Sequence, residues 1–149
     1  MKTFEWCEQS AAEFCSAKDA HVHVCITTPG YRQITPRCGH STINQTFFDL
    51  DPAEVEKTRA FSRNPAQGAG IRDGCFSSEQ AEQIAILVEA VPDGTRIVVN
   101  CEGGVSRSPA VVLALKKFYG MEIGDLPPRT YPNPHVEEVM IQVLQARGM

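Results

Sequence analysis

The sequence contains no run of eighteen apolar residues, so no membrane-spanning helix is expected. Its opening, MKTFEWCEQS, mixes acidic, basic and aromatic residues and lacks the apolar core of a secretion signal. A reducing, cytoplasmic location is the expectation. The six cysteines, Cys7, Cys15, Cys25, Cys38, Cys75 and Cys101, then read as buried thiols with one reactive member rather than as a disulfide framework. No CxxC pair occurs, which argues against a zinc knuckle. Basic charge is in deficit, with 14 Lys and Arg against 18 Asp and Glu and a net charge of −4. That balance argues against nucleic-acid or anionic-membrane partners, so any anion site must be local. Internal repeats and low-complexity tracts are lacking as well.

What remains is the composition of one soluble domain. With 149 residues, 42% apolar and 21% charged, the chain can bury a core without staples. Phe4, Cys7, Ala11 and Phe14 recur at helical spacing and predict a helix from about 3 to 17. The alternation in HVHVCIT predicts a strand, and Gln45 to Phe48 a short second one. Asp51-Pro52 can cap and open a helix running to about 62. Residues 64 to 76, rich in glycine and small side chains, read as a mobile loop. Ser77 with Gln80 resembles a capping box, and Ile84, Leu87, Val88 and Val91 mark the apolar face of the helix it opens. RIVVN predicts a buried strand, Ala110 to Leu115 a buried helix, and Asn133-Pro134 the start of a last amphipathic helix. Together these predict an α/β fold with helices flanking a small, mostly parallel central sheet.

The chemistry concentrates in IVVNCEGGVSRSPAVVLAL. An apolar strand runs into Cys101, a short glycine-containing loop follows, and Arg107 and Ser108 open a helix. Strand, loop and helix in that order aim main-chain N–H groups at an anion. Gly103 and Gly104 allow the loop to curl until successive amides converge. Pro109 sits in the first helical turn, where its missing N–H costs little. The expected product is a cradle for a tetrahedral dianion, built from Glu102, Gly103, Gly104, Val105, Ser106 and Arg107, with Cys101 at its mouth. The helix dipole, the amides and Arg107 favour the thiolate, which is the nucleophilic form. The planar fork of Arg107 suits two equatorial oxygens at once. Ser108 can donate to the sulfur and ease its departure.

From Cys101 to Arg107 the sequence fits C-x5-R with glycine three residues after the cysteine. It resembles the cysteine-based protein tyrosine phosphatase superfamily. The short chain and the CEGGVSRSPAV segment are similar to the dual-specificity phosphatases, most of all their compact bacterial and phage-type relatives. The resemblance is specific from about residue 97 to 115 and looser over 21–51, 76–91 and YPNPHVEEV. It implies attack by Cys101, a phosphocysteine intermediate, no cofactor or metal, and an upstream aspartate as general acid. It departs at Asn100, where the family carries histidine. An asparagine amide can also donate to a loop carbonyl.

Three aspartates are candidates for the acid. Asp49 follows Thr46-Phe47-Phe48 and matches the family pattern best. Asp51 has the competing role of helix cap. Asp73 lies at about the family's usual separation from the cysteine, with no clear strand before it. The loop holds no lysine, where phosphoinositide phosphatases of this superfamily tend to carry them, so the resemblance implies phosphoprotein or a small phosphate monoester rather than inositol phosphates or RNA 5′ ends. A short domain implies a shallow pocket open to phosphoserine and phosphothreonine as well as phosphotyrosine, and a monomer is expected. His21, His23 and Cys25 share a strand face, and Cys38 with His40 makes a similar pair, but packed side chains explain both better than a metal. Cys25 is also a candidate to trap an oxidised Cys101 as a disulfide. The competing reading is a pseudophosphatase that binds phosphorylated partners without turnover.

Overall fold

The computed structural model describes residues 2–8, 21–31 and 42–148. Four strands, β1 (Thr3–Glu8), β2 (His21–Thr27), β3 (Thr42–Thr46) and β4 (Arg96–Cys101), form one sheet. Their order is β1-β4-β2-β3 and every pairing is parallel. The fold is therefore α/β, with an all-parallel sheet. β4 holds the centre because Ile97, Val98 and Val99 are apolar on both faces, the mark of a strand covered on each side.

Pleating sends alternate side chains to opposite faces. Phe4, Val24, Ile26, Val99 and Cys101 lie on one face and join the main core. That core is completed by the helices α4 (Ser78–Ala90), α5 (Arg107–Phe118) and α6 (Pro134–Arg147). All residues of α5 from Arg107 to Leu115 are buried, as its all-round apolar sequence predicts. On the other face Cys7, Asn100 and Cys25 form one row across three strands, since Cys7 and Cys25 both register with Asn100.

Three sequence expectations are corrected. Residues 3–8 form strand β1, not the start of a helix. Phe4 and Trp6 alternate toward the core as well as fitting helical spacing, and pairing with β4 decides between the two. The remainder of that expected helix, from 9 to 17, lies outside the described residues. The expected helix from 52 to 62 is broken into α1 (Pro52–Glu56) and α2 (Arg59–Arg63), because the Thr58 hydroxyl caps the second by accepting from Phe61 N–H. The expected mobile loop at 64–76 is largely helix α3 (Pro65–Asp73). Asn64 caps α3, Pro65 opens it, and Gly68 lets it sit on Phe61, where a Cβ would come within 2.5 Å of the ring.

The end of β3 is fixed from two sides. Gln80, inside the Ser77 capping box, donates to the carbonyl of Thr46 at 2.9 Å, and Gln45 donates to the carbonyl of Gln80 at 2.8 Å. Phe47 follows, its N–H bonded to Thr27 and its ring buried against Phe76 at 4.7 Å between centroids. Phe47 is thereby held at the carboxyl ends of β2 and β3. Among the described residues no helix is long and apolar enough to cross a membrane.

Candidate active site

β4 delivers Cys101 to the carboxyl edge of the sheet, and the chain then turns through 102–106 into α5. Gly104 makes the turn with φ +66°, and its Cα packs on β1 so closely that a Cβ would lie 2.8 Å from the Glu8 nitrogen. On the outside of the loop, the carbonyl of Val105 accepts from Tyr131 N–H at 2.9 Å and that of Ser106 from Asn133 N–H at 3.1 Å. In a trans peptide the N–H points opposite to the carbonyl, so the N–H groups of Ser106 and Arg107 face away from the 131–133 segment. Closure of the loop is measured by its ends. Cys101 Sγ and Ser108 Oγ, seven residues apart in sequence, lie 3.1 Å apart. Cys101 is 3% exposed, so its sulfur is sheltered by the loop and the core.

Arg107 is buried and held from three elements. Its Nη1 donates to the carbonyl of Phe47 at 2.8 Å and to Thr28 Oγ1 at 3.2 Å. Its Nη2 lies 3.6 Å from Glu102 Oε1, and that oxygen accepts from Thr28 N–H at 2.8 Å. With both donors of Nη1 taken and Nη2 facing Glu102 Oε1, Nε and the second hydrogen of Nη2 are the donors left for an anion. Burial pushes the Glu102 carboxyl up, but the Thr28 hydrogen bond and the Arg107 charge outweigh it and hold the group below its ordinary value.

The three candidate acids separate cleanly. Asp49 alone is joined to the loop: its Oδ1 accepts from Ser106 Oγ at 2.8 Å and from Asn133 Nδ2 at 2.8 Å. Asp51 caps α1 through Ala53 N–H at 2.9 Å. Asp73 ends α3 and pairs with Arg72 on an exposed surface. Asp49, Leu50, Asp51, Ser106, Tyr131 and Asn133 border a cleft of about 470 Å³ beside the loop. Another cleft, of about 310 Å³, lies by Lys2, Phe4 and Asp93 and contains none of these groups.

Asn100 does not brace the loop in the way its sequence position allows. Both its amide nitrogen and its amide oxygen are buried with no hydrogen-bond partner among the described residues, so it donates to no carbonyl of the loop. Cys25 occupies the face of the sheet opposite Cys101, beside Cys7, which removes it as a direct disulfide partner for Cys101. Among the described residues no cluster of three or more potential ligands forms, and Cys38 and His40 lie outside them. Cys75 is a buried thiol whose ionisation burial pushes up, the setting of an inert cysteine.

Three contributors escape the sequence reading. Thr28 and the Phe47 carbonyl act through a hydroxyl and a main-chain atom that carry no motif. Asn133 is legible as a helix start, and nothing in its spacing points across 84 residues to Asp49. The assembled set is a thiol, a hydroxyl, a guanidinium and a carboxyl around a closed loop at a helix N-terminus. No family model matches the chain, no curated protein is significantly similar to it in sequence, and no solved structure is significantly similar to it in fold.

Proposed function

We propose that the protein is a cysteine-dependent phosphatase of dual-specificity type, acting in the cytoplasm on phosphoprotein or small phosphate monoesters. The observation that carries the reading is the 3.1 Å approach of Cys101 Sγ to Ser108 Oγ. It closes the loop between strand and helix into a ring with Arg107 inside, where an extended segment would hold these groups far apart. A tetrahedral dianion in that ring meets loop N–H groups and the remaining donors of Arg107.

The Cys101 thiolate attacks phosphorus, and the bond to the ester oxygen breaks. Asp49 gives its proton to that oxygen, so the alcohol or phenol leaves neutral. Water then attacks the phosphocysteine, Asp49 takes a proton from it, and the S–P bond breaks to release phosphate. The Ser108 hydroxyl, already beside the sulfur, stabilises the departing thiolate by donating to it.

The test is turnover of p-nitrophenyl phosphate and its inhibition by vanadate. Cys101→Ser is expected to abolish turnover, and Asp49→Asn to lower kcat by ~10²-fold or more. Asp51→Asn is expected to leave most activity in place, because asparagine caps α1 as well as aspartate does. Wild-type activity in Cys101→Ser protein sinks the mechanism. A crippled Asp51→Asn beside an active Asp49→Asn moves the acid by two residues. Vanadate binding without any turnover by the wild type identifies a pseudophosphatase that holds phosphorylated partners.

A further inference from the structure

Asn133 is 7% exposed, and both ends of its amide are engaged. Its Oδ1 accepts from His135 N–H at 3.0 Å and Val136 N–H at 3.2 Å, the cap of α6. Two N–H donors on that oxygen fix which end of the amide is which, so Nδ2 is the group that meets Asp49. Its main-chain N–H binds the carbonyl of Ser106, whose own hydroxyl also reaches Asp49. Helix α6, the 101–107 loop and Asp49 are thus tied together at one residue.

The two bonds on Asp49 have a chemical consequence. Ser106 Oγ and Asn133 Nδ2 both donate to Oδ1. A carboxyl oxygen has two in-plane lone pairs, and two donors occupy both. A proton on this carboxyl must then sit on Oδ2. We infer that Asn133, with Ser106, is a positioning residue for the acid: it fastens Asp49 to the loop and directs the transferable proton to Oδ2. The inference rests on the phosphatase reading with Asp49 as acid and adds how that acid is aimed. It also places the acid on a segment already bonded to the loop, so proton delivery needs no large closing motion.

The discriminating variant is Asn133→Asp. Aspartate is as good a helix cap as asparagine, so α6 keeps its start, while the donor to Asp49 is replaced by an acceptor that repels it. Two esters are compared. Phosphotyrosine has a poor leaving group that needs the proton, whereas a dinitrophenyl phosphate has a leaving group that departs without it. The expected result is a loss in kcat/KM, which reports the steps through P–O cleavage and not the later hydrolysis that Asp49 also serves, of ~10-fold or more on phosphotyrosine, with kcat/KM for the dinitrophenyl ester and the vanadate inhibition constant changed less than ~3-fold. Asp49→Asn should show the same dependence on leaving group, and adding Asn133→Asp to it should cost nothing further. Equal losses on both esters, or an unchanged ratio between them, overturn the inference. Asn133→Ser, which keeps a capping hydroxyl and loses the donor amide, provides the same comparison if the aspartate variant fails to fold. Wild-type protein that turns over neither ester overturns the phosphatase reading, and this inference with it. Normal wild-type turnover with an insensitive Asn133→Asp overturns the inference alone.

Discussion

The amide of Asn100 is buried in the middle of the sheet, in a row with Cys7 and Cys25, and neither of its ends finds a partner among the described residues. A buried amide left unbonded costs ~1–3 kcal/mol, and an apolar side chain of similar size carries no such cost. Asn100→Leu is therefore expected to stabilise the fold by ~1 kcal/mol or more, read as a higher urea midpoint at unchanged m. A lower midpoint would show that the amide is bonded in solution. The neighbouring side chain of Cys101 faces the opposite way into the main core, so the two effects can be measured separately.

At the scale of elements, the 101–107 loop depends on one glycine more than the other. A Cβ at Gly104 would strike the backbone of Glu8 and Cys7 at 2.8–3.1 Å, at a φ of +66° that side chains rarely adopt. At Gly103 a Cβ would meet only Val105 Cγ2 at 3.7 Å, an ordinary contact. Gly104→Ala is expected to cost ~1–3 kcal/mol in thermal or urea melts and to cut turnover at least tenfold, with Gly103→Ala far milder on both. Equal effects would show that the loop does not lean on β1 as described. This loop is also the element most legible in the sequence, because strand, glycines, Arg-Ser and buried helix all point one way. β1 is less legible because Phe4 and Cys7 satisfy a helical period while Phe4 and Trp6 satisfy a strand period. Only the partner strand resolves that conflict. Helix α3 is hidden for a different reason: Gly68 lowers helix propensity locally, and its use appears only with Phe61 packed against it. Within the site, Cys101, Arg107 and Ser108 are readable from the motif. Asp49 matches the family pattern best in the sequence already, whereas its contacts with Ser106 and Asn133, which set it apart from Asp51 and Asp73 in the fold, are not encoded in sequence spacing.

For the whole molecule, the tie between Thr28, Glu102 and Arg107 joins the ends of β2, β4 and α5, and Arg107 extends it to Phe47 after β3. The Glu102 carboxyl is held below its ordinary value in the fold, so it adds stability above the unfolded value of about 4.3. That contribution is lost as pH falls through the lower folded value. Glu102→Gln keeps an oxygen for Thr28 N–H and removes the charge beside Arg107. Wild type is expected to be more stable than Glu102→Gln at pH 7, with the gap closing below about pH 4 in thermal melts. A gap that does not change with pH would dissociate Glu102 from Arg107.

Because the four strands run the same way, their finishing ends lie along a single rim, and Thr28, Phe47, Asp49 and Cys101 all belong to it. The opposite rim, where Thr95 leads into β4 and accepts from Thr3 N–H, holds starting ends and a turn. The described residues are polarised: one border gathers the thiol, hydroxyl, guanidinium and carboxyl, the other carries strand starts and a turn. Changes along that second border should register as altered melting and leave the chemistry intact, which makes it the natural place to graft a label or a tether.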